Sequence, residues 1–321
     1  MTTKKLSVVA APAETAFAQL IADYLQDRRA GGASPKTVTI YADALNSVLL
    51  PFCSARKVTD PAQVNSRLLN DLGAGLLDGS LSRTGRPLSK ATVHSYMRAV
   101  NTFVAWANEQ AGEAITAKAK LPTMARGVLD VLSRDEVASM EDAATSERDK
   151  LIVRLLFETG MRLGELLALT ADDLQTTAGR SVLTVRHGKG DRGRLVPLSP
   201  ALARRLRRYA DRSRRDARSD RLFLGLKRRA SSGEFEPLTM SGAEQMIRHL
   251  ATAAGITKRV YPHLLRHSLA TDFLRRGGNP ILLQQILGHT SLAMITQTYQ
   301  HLTFGNAHDE LMRVLLGDAR N

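Results

Sequence analysis

Apolar residues recur at helical spacing along the beginning of the chain. In ETAFAQLIADYLQDRR, Phe17, Leu20, Ile21, Tyr24 and Leu25 share one face, which predicts a first amphipathic helix. SPKTVTIYADALNSVLLPF opens with Ser34 as an N-cap and Pro35 in the first turn, where a missing N–H costs nothing. SRLLNDLGAGLLDG predicts a third helix. A fourth, SKATVHSYMRAVNTFVAWANEQ, is capped by Ser89 and turns Val93, Met97, Val100, Val104 and Trp106 toward a core. The loop SRTGRPLS precedes it. These helices predict a four-helix unit over residues 14–110, after a tail at 1–13. Across 111–128, AGEAITAKAKLPTMARGV loses its periodicity and carries lysines, an arginine and a proline, as an interdomain linker does.

Residues 129–321 predict a second domain. Ser133 and Glu136 in SRDEVASM have capping-box spacing, and SERDKLIVRLLFETGMRLGELLALT predicts two helices broken near Gly160. The period then changes. SVLTVRH and RLVPLS alternate like two strands, joined by the turn GKGDRG that holds Lys189. An arginine-dense helix follows in ALARRLRRYADRSRRDAR, and the remainder reads as mostly helix. The expected fold class is therefore mainly α with a small β-sheet: a helical N-terminal domain followed by an α+β domain. No internal repeat or low-complexity tract interrupts this plan.

Composition adds a partner. Lys+Arg 45 against Asp+Glu 31 gives a net charge of +14 in 321 residues, a surplus that favours a polyanion, and nucleic acid is the first candidate. A membrane surface is disfavoured, since neither a long apolar span nor a basic amphipathic helix is read in the sequence. The apolar run in MTTKKLSVVAAPA is too thin for a secretory leader and leads directly into a helix pattern, so a cytoplasmic protein is expected. The single cysteine, Cys53, sits in the helical pattern VLLPFCSAR and reads as a small buried hydrophobe without redox chemistry.

The polar residues that stand out are weak signals one at a time. Arg162 after a helix break reads as a capping or surface arginine, and Lys189 as a solvated turn lysine. His289 suits a helix end, and Tyr299 alone is more often a packed aromatic than a nucleophile. In YPHLLRHS, His263 and Arg266 share a helix face. His263 and His267 have the i, i+4 spacing that can hold zinc, but Leu264 and Leu265 stand where the hydrolytic zinc motif needs a glutamate, so no metal and no cofactor are expected. Taken together, two arginines, a lysine and two histidines supply the charge and N–H donors that a phosphodiester transition state needs. Arginine offers a planar fork that stays charged, and a lysine on a hairpin can protonate a leaving oxygen. A tyrosine hydroxyl, with an ordinary pKa near ~10, attacks only when deprotonated or surrounded by positive charge.

TGMRLGELLAL, HGKGDRGRLVPL, HLLRHSLAT and LGHTSLAMITQTYQH, in that order and at those intervals, resemble the signature boxes of the tyrosine recombinases, the integrase family that includes the Xer proteins and phage integrases. The resemblance spans essentially the whole chain. It implies that 14–110 is a core-binding DNA-binding domain and 129–321 the catalytic domain. It implies that Arg162 and Arg266 clamp the scissile phosphate, that Lys189 is the general acid toward the leaving 5′ oxygen, and that His263 acts in proton transfer. His289 would donate to the phosphate, and Tyr299 would form a 3′-phosphotyrosine. Glu165 matches an acidic supporting position, and His301 a frequent companion histidine with no assigned role.

The resemblance further implies double-stranded recombination sites as partners, a homotetramer on DNA, and an accessory protein or a partner recombinase. Association with the nucleoid would follow from DNA binding. The terminal segment AHDELMRVLLGDA, with Leu311, Val314 and Leu315 on one face, is either a core helix or one that docks into a neighbouring protomer. With a first helix near residue 14, no arm-binding domain of the lambda-type integrases is expected, which favours a simpler recombinase of the Xer, transposon or small integrase kind. One feature departs from the Xer pattern: His289 and Tyr299 lie ten residues apart, one more than the Xer spacing. An inserted residue turns a helix by ~100°, so HTSLAM must absorb it. Two rivals remain open at this stage: a non-catalytic DNA-binding or architectural protein of the same fold, and a type IB topoisomerase.

Overall fold

The computed structural model describes residues 13–82, 84–110, 115, 117–123, 130–186, 193–213, 219–229 and 233–288. The chain divides into two compact units, Met1–Gly127 and Val128–Asn321.

The first unit is built from α1 (Ala13–Ala30), α2 (Pro35–Ala42), α3 (Leu50–Ala55), α4 (Ser66–Asp78) and α5 (Lys90–Gln110), with a π-helical stretch, Asp43–Leu49, joining α2 to α3. The caps are local. Ser34 Oγ accepts the Thr37 N–H, Asn65 Oδ1 that of Leu68, and Ser89 Oγ that of Thr92. Pro51 lies in the first turn of α3, and the wide turn just before it has a physical reason. A proline ring clashes with the carbonyl four residues back. The Leu50 N–H instead reaches the carbonyl of Leu45, five back, and the rod continues through the proline.

The resulting helix, Pro35–Ala55, is long and apolar enough to cross a membrane by length and composition alone. Its Leu45, Leu49 and Cys53 are fully buried in the core of the unit, which identifies it as a core helix. That core centres on an aromatic cluster: Phe103 stacks with Phe17 at 6.2 Å and meets Tyr24 edge-on at 5.5 Å. Cys53 has its thiol pushed up to about 11, chiefly by burial and against the nearby Arg56 charge.

The second unit packs around α7 (Glu147–Thr159), whose Leu151, Ile152, Leu155 and Leu156 are completely buried. Around it lie α6 (Arg134–Asp142), α9 (Pro200–Ser213) and α11 (Pro262–Arg275). The Ser133–Glu136 capping box opens α6. A buried pair holds α7 to the small sheet: Arg148 bonds Asp149 at 2.6 Å and donates to the Leu224 carbonyl at 2.8 Å.

The two expected strands are present as β2 (Arg180–Val185) and β3 (Arg194–Pro197), paired antiparallel with Leu183 opposite Val196. The sheets are larger than the sequence pattern indicated. A strand β1 (Leu174–Thr177) adds to β2, and β4 (Leu224–Arg228) pairs with β5 (Phe235–Pro237) in a second sheet with an irregular register. Both lie where helix or loop was expected, because neither has a buried alternating face: β1 is exposed beyond Leu174, and only Leu224 of β4 is buried. Helices α8 (Leu163–Ala168), α10 (Met240–Ala253) and α12 (Pro280–Leu287) are its other described α-helices. The mainly α fold with small sheets holds.

Candidate active site

The break between α7 and α8 creates the first part of the site. Gly160 ends α7 in the left-handed region, at φ 58°, where a side chain is disfavoured. The chain then turns so that Arg162 occupies the extended residue before α8, and Glu165 reaches back to accept the Arg162 backbone N–H at 2.8 Å. The same carboxylate accepts the Arg162 Nη1 at 2.7 Å. A second guanidinium completes it: Arg194, the first residue of β3, donates Nη1 to Oε1 at 3.1 Å and Nη2 to Oε2 at 2.8 Å.

The Glu165 side chain is 5% exposed. Burial alone would push its pKa up, but the hydrogen bonds and charge of Arg194, with both bonds from Arg162, overturn this and hold it at about 2. Glu165 is therefore a permanent anion at neutral pH, with a structural role and no proton to give. Arg162 keeps its Nε and Nη2 without a bond to the described residues, and its side chain is 26% exposed. It is oriented by Glu165 and still presents donors.

Arg266 joins this turn to the end of α12. It lies on α11, buried, and its Nη1 donates to the Gly160 carbonyl while Nη2 donates to the Leu287 carbonyl at 2.8 Å. A cation at a helix C-terminus is favoured by the unpaired carbonyls there. Arg194 does the same from the other side, with Nε on the Ile286 carbonyl at 2.9 Å. The approach is close: a Cβ on Gly160 would lie 2.4 Å from Leu287 Cδ2 and 2.8 Å from Leu269 Cδ2. Glycine at 160 is what allows α12 to end against the α7–α8 turn.

The structure thus brings Arg162, Glu165 and Arg266 together with Arg194. Arg194 was missed in the sequence, where it looks like an arginine leaving a turn. A signal existed: it shares strand phase with buried Val196, while Leu195 between them points out at 53% exposure. A charged residue on the inward phase of a strand needs a buried partner. His263 lies exposed in the first turn of α11, and His267, one helical turn on, is half-buried. Burial, then the charges of His263 and Arg266, lower the His267 pKa, so the neutral imidazole prevails at neutral pH. No group of three His, Cys, Asp or Glu side chains converges on a metal position among the described residues. Lys189, His289, Tyr299 and His301 lie outside the described residues, as does 307–319; Gly288, which ends α12, immediately precedes His289.

The arginine-dense helix divides. Arg205 bonds Glu147 and Glu141, and Arg207 bonds Thr176 and Ser181. Arg204, Arg208 and Arg212 are exposed.

A buried carboxylate balanced by two arginines, beside a third arginine held by backbone carbonyls, gathers the positive charge and N–H donors that suit an anion such as a phosphodiester. The model of the phage integrase family matches residues 130–306, more than half of the chain. The chain belongs to this family of tyrosine recombinases. Tyrosine recombinase XerC of Mycobacterium sp. (strain KMS) is 32% identical over 294 residues, covering 87% of this chain and 93% of that one. Tyrosine recombinase XerA of Saccharolobus solfataricus is 28% identical over 289 residues, 88% of each.

The fold is similar to that of the XerH site-specific recombinase bound to palindromic difH substrate in a post-cleavage complex. The TM-score is 0.68 at 21% identity, over 92% of this chain and 84% of that one. It is also similar to the Tn1549 transposon integrase in complex with transposon right end DNA, with a TM-score of 0.69 at 19% identity, over 93% and 99%. In this tyrosine recombinase the matched segment contains every candidate site residue from Arg162 to His301.

Proposed function

We propose that the protein is a site-specific recombinase that cleaves and rejoins duplex DNA through a 3′-phosphotyrosyl intermediate. The observation that carries this reading is the Arg162–Glu165–Arg194 cluster set against Arg266 at the end of α12. Arg162 and Arg266 hold the nonbridging oxygens of the scissile phosphate, and their charge stabilises the transition state. The Tyr299 hydroxyl attacks phosphorus and gives up its proton, with His263 in proton transfer. The bond to the 5′ oxygen breaks, and Lys189 protonates that oxygen as it leaves. His289 donates to the phosphate, and His301 lies beside the nucleophile in the chain.

The P–O bond lost to the 5′ oxygen is replaced by one to tyrosine, so a 5′ hydroxyl from another strand reverses the step. Neither ATP nor a metal ion is required, since positive side chains take the metal's role. Residues 14–110 form the core-binding domain that reads DNA, 111–128 the linker, and 129–321 the catalytic domain. Phosphate contacts from a chain of net charge +14 give a steep salt dependence. A homotetramer on paired recombination sites, in the cytoplasm and on the nucleoid, completes the reading.

The test uses nicked duplexes tiling the DNA that flanks the gene. The protein is expected to become trapped on a 3′ phosphate of one of them, in EDTA and without ATP. Tyr299→Phe is expected to abolish trapping and keep DNA binding. An adduct formed by the Phe variant would place the nucleophile elsewhere and sink the assignment. Two-site recombination assayed beside supercoil relaxation separates this function from that of a topoisomerase.

A further inference from the structure

We propose that Arg194 is a positioning residue for strand cleavage: by neutralising Glu165 and holding the Ile286 carbonyl, it leaves Arg162 available to the scissile phosphate. The inference rests on the recombinase reading above. Glu165 offers four lone-pair positions in a buried place. Two are taken by Arg162, through its backbone N–H and Nη1, and two by the parallel N–H bonds of Arg194. Without Arg194, half of the carboxylate would be bare in a site only 5% exposed to water. The nearest remedy is for Arg162 to turn its whole fork onto Glu165, which withdraws the Nε and Nη2 donors from the ligand. The net charge of the trio also matters. Arg162 and Glu165 alone sum to zero, whereas the three together carry one positive charge toward a phosphodiester of one negative charge.

The third bond of Arg194 acts on a different element. Its Nε holds the carbonyl of Ile286 while Arg266 holds that of Leu287, so two guanidiniums pin successive carbonyls at the end of α12, directly before Gly288 and His289. The plane of the guanidinium, 11% exposed, is what lets one side chain reach a carboxylate and a carbonyl in fixed directions. A lysine brings the charge without the fork. One residue thereby supports both Arg162 and the segment that leads to His289.

The test compares full-length wild type, Arg194→Ala, Arg194→Lys, Glu165→Gln and the double variant Glu165→Gln/Arg194→Ala, at a temperature where all are folded. The substrate is the nicked duplex on which wild type forms its adduct. Arg194→Ala is expected to bind that duplex within about threefold of wild type and to form adduct on the order of 100-fold more slowly, the scale of losing one oriented donor at a phosphate or carbonyl oxygen. The double variant is expected to form adduct faster than Arg194→Ala, because a neutral glutamine no longer draws Arg162 away.

A purely structural role predicts the opposite order, with the double variant slower than or equal to the single one, and that result overturns the proposal. So does an unchanged rate in Arg194→Ala. If Arg194→Ala lacks a folding transition, Arg194→Lys alone and combined with Glu165→Gln replaces the pair, with the same order expected and the same reversal fatal. A wild type that forms no adduct removes the recombinase reading itself, a different outcome from an adduct that ignores Arg194.

Discussion

Replacing Glu165 by glutamine tests the electrostatic centre of the site. The carboxyl is held at about 2 in the folded protein against an ordinary 4.5. At about 1.36 kcal/mol for each tenfold change in proton affinity, the ionised form contributes about 3 kcal/mol to stability at neutral pH. Because the folded value lies below the unfolded one, the contribution is complete well above pH 4.5 and is lost as the pH falls toward 2. By pH 3.5 on the order of 1 kcal/mol of it is gone.

Glutamine cannot be ionised, and its amide N–H₂ faces guanidinium donors, so Glu165→Gln should lose about 3 kcal/mol at pH 7. That corresponds to a fall in melting temperature of about 6–12 °C at 2–4 °C per kcal/mol. The assay is urea unfolding of both proteins between pH 7 and 3.5. The difference between them should shrink by on the order of 1 kcal/mol over that range. A difference that stays constant across the range, or one below about 1 kcal/mol at pH 7, would refute the reading of Glu165 as a buried anion compensated by Arg162 and Arg194.

Two further substitutions probe what carries that centre. Gly160→Ala places a Cβ 2.4 Å from Leu287 Cδ2 at a positive φ, and it should cost about 1–3 kcal/mol by overpacking. It should also slow adduct formation by shifting the end of α12; unfolding in urea and single-turnover trapping measure the two effects, and a neutral result in both contradicts the close approach. Phe103→Ala in the first unit removes the ring between Phe17 and Tyr24 and should cost about 3–5 kcal/mol in thermal unfolding, with less than 1 kcal/mol contradicting the aromatic core.

What was legible in the sequence was local. Ser34 with Pro35, Ser89, and Ser133 with Glu136 mark helix starts through contacts within three residues, and the structure forms each of them. Gly160 marks a helix end for the same reason. The π-helical stretch before Pro51 was not legible, because a change from four-residue to five-residue bonding leaves the apolar spacing nearly unchanged over two turns. Strands β1, β4 and β5 were missed because their pairing partners, not their own side chains, decide their conformation. Thr177 faces Arg180 across a tight turn, and Arg228 faces Phe235 beyond an irregularity.

The site divides along the same line. Arg162, His263 and Arg266 are of types that phosphate chemistry uses, and with Glu165 they stand out as a set through the resemblance to the family's ordered boxes. Arg194 does not touch the phosphate in this reading, so nothing in that chemistry demands it. Its necessity comes from folding: once Glu165 is buried, its charge requires a second cation, and among the described residues the inward phase of β3 brings one within reach. The carboxylate that orients Arg162 therefore creates the need for Arg194, and the fork that meets this need also fixes the end of α12. A supporting residue of this kind becomes visible only when each buried charge in the pocket is matched to its partner.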